Sequence, residues 1–252
     1  MFMKEKERIS KIFHENTKIL DDTIYEKEKN NDYVDEWKRI NFKTYPRMKN
    51  IILKNPEIQR DLEKIIIKRR SIRDFELKKL SFNDLSELLI CSFGITEKPE
   101  NWNDTKRAYP SAGARYPIEV YVVIFNVENL KNGIYHYNVK SNSLERLVLG
   151  DFRDKIVKYT NEQEWIRNAS MAILFTAVFD RNQIKYGERG YRYVLLDAGH
   201  MAQNVYLIST AMNLGCCTIG GFHDNKINKL LDVNENKENI VYIAIVGVPL
   251  KK

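Results

Sequence analysis

Three stretches of this chain carry apolar residues at helical spacing. In residues 57–68 isoleucine and leucine recur every three or four positions, and residues 81–94 repeat that pattern after Ser81, a residue type that begins helices. Residues 191–213 are apolar on nearly every face, so a helix there belongs in the core or at a subunit interface. Gly215 is predicted to end that helix.

Five other runs are typical of strands, because they are rich in β-branched residues or alternate apolar with polar positions. They are residues 118–125, 133–139, 143–149, 169–179 and 240–248. In residues 169–179 the alanines leave a helix as an alternative. The second and third runs surround a short polar turn, which predicts a hairpin. The irregular order of helices and strands favours the α+β class, with a mostly antiparallel central sheet flanked by helices.

Length and composition indicate one main domain with an appendage. The chain has 252 residues, of which 43% are apolar and 30% are charged. We expect residues 1–50, rich in lysine and asparagine, to form a helical and extended appendage, and residues 51–252 to form the main domain. The apolar runs fall far short of the ~20 residues of a membrane span. Because residues 1–10 are also charged throughout, we expect a cytoplasmic protein without a signal peptide.

Charge and cysteine content narrow the function classes. Residues 1–80 hold 21 Lys and Arg against 15 Asp and Glu, a surplus that attracts nucleic acid, an acidic peptide or a phosphate, or is simply a solvated helical face. The chain has no motif for binding nucleic acid, so we expect no nucleic-acid partner. Cys91, Cys216 and Cys217 have neither disulfide nor metal-ligand spacing, and we expect no metal site.

A turn rich in arginine follows the helix predicted over residues 57–68. We call Arg69, Arg70, Ser71 and Arg73 the arginine cluster. Three guanidinium groups and a hydroxyl within five residues suit a phosphomonoester, which binds through neutralised charge and fork-shaped donors. Taken alone, the cluster is more typical of a solvated basic turn, because arginine clusters are common on protein surfaces.

Two segments of small residues would let a flat ligand approach the backbone closely. The first, the small-residue loop, comprises Pro110, Ser111, Ala112, Gly113 and Ala114. The second, the glycine turn, is Gly220 and Gly221, where an unobstructed backbone amide could face a redox-active ring. For each segment the alternative interpretation is an ordinary turn.

Lys185 and Tyr186, the Lys–Tyr pair, stand side by side just before the long apolar helix. A cation beside a phenol favours the phenolate, which is the form that abstracts protons. The alternative is a surface lysine next to a half-buried aromatic residue. His200 lies within the apolar helix and is predicted to be a hydrogen-bonded core residue, whereas His14, His136 and His223 have no evident partner in the sequence.

In chain order, these segments resemble the nitroreductase superfamily, and in particular its SagB-type azoline dehydrogenases. The matching segments are Arg-Arg-Ser-Ile-Arg-Asp-Phe from Arg69, Pro-Ser-Ala-Gly-Ala-Arg-Tyr-Pro from Pro110, Lys-Tyr-Gly-Glu-Arg-Gly-Tyr-Arg from Lys185, and Val-Gly-Val-Pro near the end. The resemblance spans most of the chain. It departs from many nitroreductases at Ala114, where asparagine is common, and at Gly220, where an acidic residue is common.

The resemblance implies a homodimer with FMN at the subunit interface. The arginine cluster would hold the phosphate and ribityl chain, and the small-residue loop would reach the same flavin from the partner subunit. The glycine turn would lie beside the isoalloxazine ring. In the azoline dehydrogenase branch, the residues that match Lys185 and Tyr186 are the catalytic pair.

The implied activity is FMN-dependent oxidation of thiazoline or oxazoline rings to thiazoles or oxazoles on a ribosomally made precursor peptide. A complex with the cyclodehydratase that makes the azoline is a further expectation. One alternative is an NAD(P)H-dependent nitro- or quinone reductase, or a cyclic-dipeptide oxidase, on the same fold. An alternative from another class is a flavin-free binding subunit of a peptide-modifying complex.

Overall fold

A computed structural model describes residues 9–18, 61–97 and 105–250. Most of the predicted appendage, the first turn predicted for the helix over residues 57–68, and the two C-terminal residues lie outside this part of the chain. The described elements mix helices and strands as predicted from the sequence, which confirms the α+β class.

Seven α-helices occur in the described residues. They are α1 (Ile9–Thr17), α2 (Asp61–Lys68), α3 (Phe82–Phe93), α4 (Arg153–Tyr159), α5 (Asp180–Tyr186), α6 (Arg189–Ala211) and α7 (Asp224–Leu231). The serine cap predicted for α3 is present, because the backbone amide of Asp84 donates to Ser81 Oγ at 3.0 Å. None of these helices is long and apolar enough to cross a membrane.

The central sheet has six strands, and each pair of neighbours is antiparallel. The strands are β3 (Ile118–Ile124), β4 (Gly133–Asn138), β5 (Ser143–Leu149), β6 (Met171–Ala177), β7 (Gly215–Ile219) and β8 (Asn239–Gly247), in the order β5-β4-β3-β6-β8-β7. Two short strands, β1 (Ile95–Glu97) and β2 (Lys106–Arg107), pair separately. The predicted hairpin is β4 with β5.

The core lies on both faces of the sheet, and β6 contributes to each. Met171, Ile173 and Phe175 pack towards α3 and α6, whereas Ala172 and Leu174 pack towards α4 and α7. All seven residues of β6 are buried, as the apolar run over residues 169–179 indicates. The sheet is therefore a rigid platform whose edges and loops remain available for a site.

Helix α1 packs against the junction between α5 and α6. The backbone amide of Ser10 donates to Glu188 Oε2 at 2.6 Å, and Gln183 Nε2 donates to Ser10 Oγ at 2.8 Å. His14 Nδ1 lies 3.0 Å from the hydroxyl of Tyr191. The interpretation of His14 as a residue without a partner was therefore wrong, and the N-terminal helix supports the region that carries the Lys–Tyr pair.

Two predictions about the long helix need correction. It ends at Ala211, and Gly215 is instead the first residue of β7. A Cβ atom at Gly215 would lie 2.8 Å from Phe75 and 2.9 Å from Ile72, so this glycine allows close packing. His200 is exposed and is not a core residue, because it lies on the outer face of α6 with Leu196 and Gly199.

Candidate cofactor and catalytic site

The arginine cluster lies along the free side of β7. Ser71 forms a parallel β-bridge with Cys216, and the backbone amide of Ile72 donates to the carbonyl of Cys216 at 2.9 Å. These contacts fix the backbone of the cluster against an edge strand of the sheet. Cys216 and Cys217 are both buried, as the apolar sequence around them indicates.

The hydroxyl of Tyr206 on α6 connects the cluster to β7. It lies 3.0 Å from Ser71 Oγ, accepts a hydrogen bond from the backbone amide of Thr218 at 3.0 Å, and lies 3.3 Å from Thr218 Oγ1. Tyr242 on β8 donates to the same Thr218 oxygen at 2.8 Å. This role of Tyr206 was not predictable from the sequence, because its partners are 12 and 135 residues away along the chain.

The three guanidinium groups have different surroundings. Arg69 is half-buried and stacks over the ring of Tyr206 at 5.3 Å from its centroid. Arg73 is exposed near Cys217, whose thiol pKa is raised by burial, an effect that the Arg73 charge partly opposes. Arg70 turns back and donates to the carbonyls of Ile67 and Arg69, so it caps the end of α2.

The glycine turn follows β7 directly, and its first residue, Gly220, faces open space. Gly220 is exposed, and a Cβ atom there would meet only the ring of Tyr242, at 3.9 Å. The carbonyl of Gly221 accepts a long hydrogen bond from Asn161 at 3.4 Å. The fold of this chain does not require glycine at position 220, and the open backbone could accept the face of a flat ligand.

These features fit a phosphate-bearing flavin such as FMN. In residues 61–97 and 105–250 no carboxylate forms an ion pair with Arg69, Arg70 or Arg73, so their charges are available for an anion. The arginine cluster and the glycine turn both adjoin β7, a strand of five residues. A phosphate bound at the arginine cluster and a flavin ring bound at the glycine turn would both lie along the β7 edge of the sheet.

The small-residue loop is held by a buried aspartate on α6. Ser111 Oγ donates to Asp197 Oδ2 at 2.5 Å and accepts from the backbone amide of Tyr116 at 2.9 Å. Burial raises the pKa of Asp197, while the hydrogen bonds from Ser111 and from the Ala112 amide oppose that rise. Sequence reasoning missed Asp197, although an acidic residue within an apolar helix is a detectable signal.

The loop adopts a conformation that side chains rarely tolerate. Gly113, Ala114 and Tyr116 all have positive φ, at 63°, 52° and 46°. Glycine adopts this region readily, but the other two residues are strained there. The contact of Ser111 with Asp197 therefore holds a strained loop in place, and Pro110, Gly113 and Ala114 remain exposed.

The Lys–Tyr pair lies at the C-terminal end of α5 and touches the small-residue loop. A Cβ atom at Gly113 would lie 2.5 Å from the Tyr186 hydroxyl and 3.0 Å from Lys185 Nζ. The Lys185 ammonium lies 5.3 Å from the centroid of the Tyr186 ring. The pair thus belongs to the short helix α5, which was not predicted from the sequence. The structure places the pair in contact with the small-residue loop.

Within one chain, two assemblies attach to helix α6. One is the small-residue loop with the Lys–Tyr pair, and the other is the arginine cluster with the glycine turn. Asp197 and Tyr206 anchor the two assemblies and are nine residues apart. In an α-helix that spacing is about 13.5 Å along the axis and half a turn around it. The loop with the Lys–Tyr pair and the cluster with the glycine turn therefore attach to opposite sides of α6.

An ion-pair network fixes α5 to the sheet. Arg181 Nη1 lies 2.5 Å from Glu119 Oε1, and the other oxygen of Glu119 lies 3.1 Å from His136 Nε2. His136 Nδ1 lies 2.8 Å from Glu145 Oε2. His136 therefore has two acidic partners, and its interpretation as a residue without a partner was wrong. The hydrogen bond to Glu119 raises the pKa of His136, although partial burial opposes that rise.

Sequence comparison matches the nitroreductase family over residues 66–248. A Methanocaldococcus jannaschii protein described as a nitroreductase is 34% identical over 71% of this chain and 89% of its own length. The microcin B17-processing protein McbC of Escherichia coli is 28% identical over 67% of this chain and 62% of its own. The trifolitoxin-processing protein TfxB of Rhizobium leguminosarum bv. trifolii is 31% identical over 43% of this chain and 31% of its own.

Solved structures share the fold. A chain from Anabaena variabilis described as a nitroreductase has a TM-score of 0.65 and 32% identity, over 75% of this chain and 38% of that chain. A chain of the Escherichia coli microcin synthetase McbBCD complex, with truncated pro-MccB17 bound, has a TM-score of 0.75 over 97% of this chain and 92% of that chain. Its 22% identity supports the fold alone.

We expect Tyr206→Phe to weaken FMN binding about 5- to 30-fold, because the ring remains under Arg69 while the contacts with Ser71 and Thr218 are lost. Quenching of flavin fluorescence during titration measures the dissociation constant. Tyr135→Phe is the control, since it removes a hydroxyl bonded to the Lys131 carbonyl away from β7. Equal affinity of Tyr206→Phe and wild type would show that Tyr206 does not organise the cluster.

We expect the stabilisation from His136 to decrease as the pH rises. Because the folded-state pKa is raised, the stabilisation is fully present below the unfolded value of about 6.5 and is lost as the pH passes the folded value. The measurement is urea unfolding of wild type and His136→Gln across this range. Their difference in unfolding free energy should be largest in acid and shrink in alkali, and a constant difference would contradict the assignment.

Proposed function

Since this chain belongs to the nitroreductase family, we propose that it is an FMN-dependent dehydrogenase that oxidises thiazoline or oxazoline rings of a ribosomally made peptide to thiazoles or oxazoles. The main support is the contact of Lys185 and Tyr186 with Gly113, which puts a candidate base beside a loop suited to a flavin. Relatives named for processing microcin B17 and trifolitoxin support a peptide substrate.

We propose that two copies of the chain complete each site. One copy would contribute its arginine cluster and glycine turn, and the other its small-residue loop and Lys–Tyr pair. The opposite placement of these assemblies on α6 supports this arrangement, because their anchors lie about 13.5 Å apart along the helix and half a turn around it. Leu195 and Leu196 are 39% and 57% exposed on the same helix, which is typical of a surface that a second copy covers.

Azoline oxidation removes a proton and a hydride from adjacent ring carbons, and the resulting aromaticity favours the product. Bound FMN would accept the hydride and pass the electron pair on to dioxygen. The protein must therefore hold the flavin through its phosphate, keep its ring against the glycine turn, and remove the proton from the carbon α to the carbonyl.

Tyr186 is the candidate base, and Lys185 is the candidate partner whose ammonium charge lies beside its ring. The ammonium near the phenol ring supports these roles. Lys185 is exposed and could alternatively orient the substrate carbonyl, with the two roles exchanged. Tyr193 packs edge-on against Tyr186 at 5.1 Å between ring centroids, which restricts the phenol ring.

We also propose that the protein acts with the cyclodehydratase that forms the azoline. The support is its similarity to McbC, a protein named for processing microcin B17. Co-purification of the full chain with a cyclodehydratase that acts on the same peptide tests this association.

We expect Tyr186→Phe and Lys185→Ala to retain FMN but to lose azole formation. Without proton abstraction, the single-turnover rate of flavin bleaching by an azoline peptide should fall by about 10²- to 10⁴-fold. Anaerobic stopped-flow absorbance measures this rate, and mass spectrometry detects the 2 Da loss per ring. Lys158→Ala, which removes an exposed lysine of α4, should behave like wild type.

The same experiment separates the alternatives. Bleaching by NADPH without any peptide would favour a nitro- or quinone reductase, the activity suggested by the name of the Methanocaldococcus relative. A colourless protein that does not take up FMN would favour a flavin-free binding subunit. Unchanged azole formation by both variants would exclude the proposed role of the Lys–Tyr pair.

The shared site is tested by mixing two inactive chains. One carries Lys185→Ala with Tyr186→Phe, and the other carries Arg69→Glu with Arg73→Glu. In a random mixture half of the dimers contain one chain of each kind, and one of their two sites is intact, so about one quarter of wild-type activity should return. If each site were formed within one chain, the mixture would remain inactive.

A further inference from the structure

Arg181 connects the helix that carries the Lys–Tyr pair to two other elements. Its Nη1 contacts Glu119 Oε1 of β3 at 2.5 Å and the backbone carbonyl of Tyr116 at 3.2 Å. Its own carbonyl accepts a hydrogen bond from Arg115 Nε at 2.9 Å. Helix α5 is thus tied both to the sheet and to the backbone that follows the small-residue loop.

Arg181 and the Lys–Tyr pair belong to the same short helix, so the contacts of Arg181 affect the position of the pair. Lys185 follows Arg181 by four residues, so the two side chains lie on the same face, one turn apart. At the end of the helix, Lys185 and Tyr186 contact Gly113. A rotation or shift of α5 at Arg181 would therefore move the Tyr186 hydroxyl relative to the loop.

Glu119 is a firm anchor for this arginine. It lies in β3, which pairs with β4 and β6 on its two sides, and its side chain is 23% exposed. Burial raises the pKa of Glu119, but the hydrogen bond from His136 and the charge of Arg181 outweigh this effect and leave the pKa lowered. The carboxylate is therefore charged at neutral pH, with one oxygen on Arg181 and the other on His136.

We infer that the Arg181–Glu119 ion pair is a positioning device that sets the Tyr186 hydroxyl for proton abstraction. The inference rests on the proposed function, in which Tyr186 and Lys185 act on the azoline. Arg181 itself is a positioning residue, since its described contacts are with Glu119, Tyr116 and Arg115. The pair should affect the chemical step and leave the binding of flavin and peptide nearly unchanged.

The test compares Arg181→Met, Arg181→Lys and Glu119→Gln in the FMN-loaded full-length protein. We expect Arg181→Met to lower the anaerobic single-turnover rate of flavin bleaching by azoline peptide about 10- to 100-fold, because small displacements of reacting groups cost that much. The KM for peptide and the dissociation constant for FMN should stay within about twofold of wild type. Arg181→Lys, which retains the charge, should recover part of the rate.

A matched control is Arg167→Met, which removes an arginine paired with Asp154 and Glu164 away from α5. Its bleaching rate should equal that of wild type. The double variant Arg181→Met with Glu119→Gln should lose less rate than the two single losses multiplied together, because both changes break the same Arg181–Glu119 contact. The inference would be overturned if the rate losses of the two single variants were additive, as free energies, in the double variant. It would also be overturned if Arg181→Lys recovered none of the rate, or if Arg181→Met lost FMN affinity in parallel with the rate.

The results also separate this inference from the proposed function. If Tyr186→Phe abolishes bleaching while Arg181→Met reacts at the wild-type rate, the positioning role fails and the proposed function stands. If Tyr186→Phe and Lys185→Ala bleach normally, both fail. If Arg181→Met does not fold, Arg181→Lys and Glu119→Gln decide, since a wild-type rate in both would overturn the positioning role.

Discussion

The geometry of the candidate site depends on one helix, α6, which has 23 residues. Its buried Asp197 holds the small-residue loop through Ser111, and its Tyr206 holds the arginine cluster through Ser71. A helix fixes both the distance and the rotation between two of its side chains. Within one chain the two assemblies are therefore held on opposite sides of α6, and this placement supports the proposed second copy.

Contacts with α6, with the sheet and with α1 hold the strained and exposed segments of the site in place. The small-residue loop has two residues with positive φ, Gly113 and Ala114, and Tyr116 just after it has a third; the Lys–Tyr pair is on a helix of only seven residues. Neither would hold its geometry alone, because short helices and strained turns depend on tertiary contacts. Asp197 supports the loop, while Glu119 and helix α1 support α5.

Much of the fold and part of the site could be predicted from local patterns. The hairpin of β4 and β5, the capped start of α3 and the buried strand β6 each follow from residues close together in sequence. The arginine cluster and the glycine turn were recognised as candidates because their residue types suit phosphate and flat ligands. The family resemblance then gave each a role, and sequence comparison confirms the family.

The contacts that organise the site were not predictable in the same way. Asp197 with Ser111, Tyr206 with Ser71, and Arg181 with Glu119 join residues 86, 135 and 62 positions apart. The exposed position of His200 likewise depends on which face of α6 the sheet covers. By itself the sequence determined the family, most of the helices and strands, and the candidate residues for binding and catalysis, because these depend on local spacing and residue type. Only the tertiary structure decided which of them meet, because contacts between distant segments depend on how the sheet and α6 pack together.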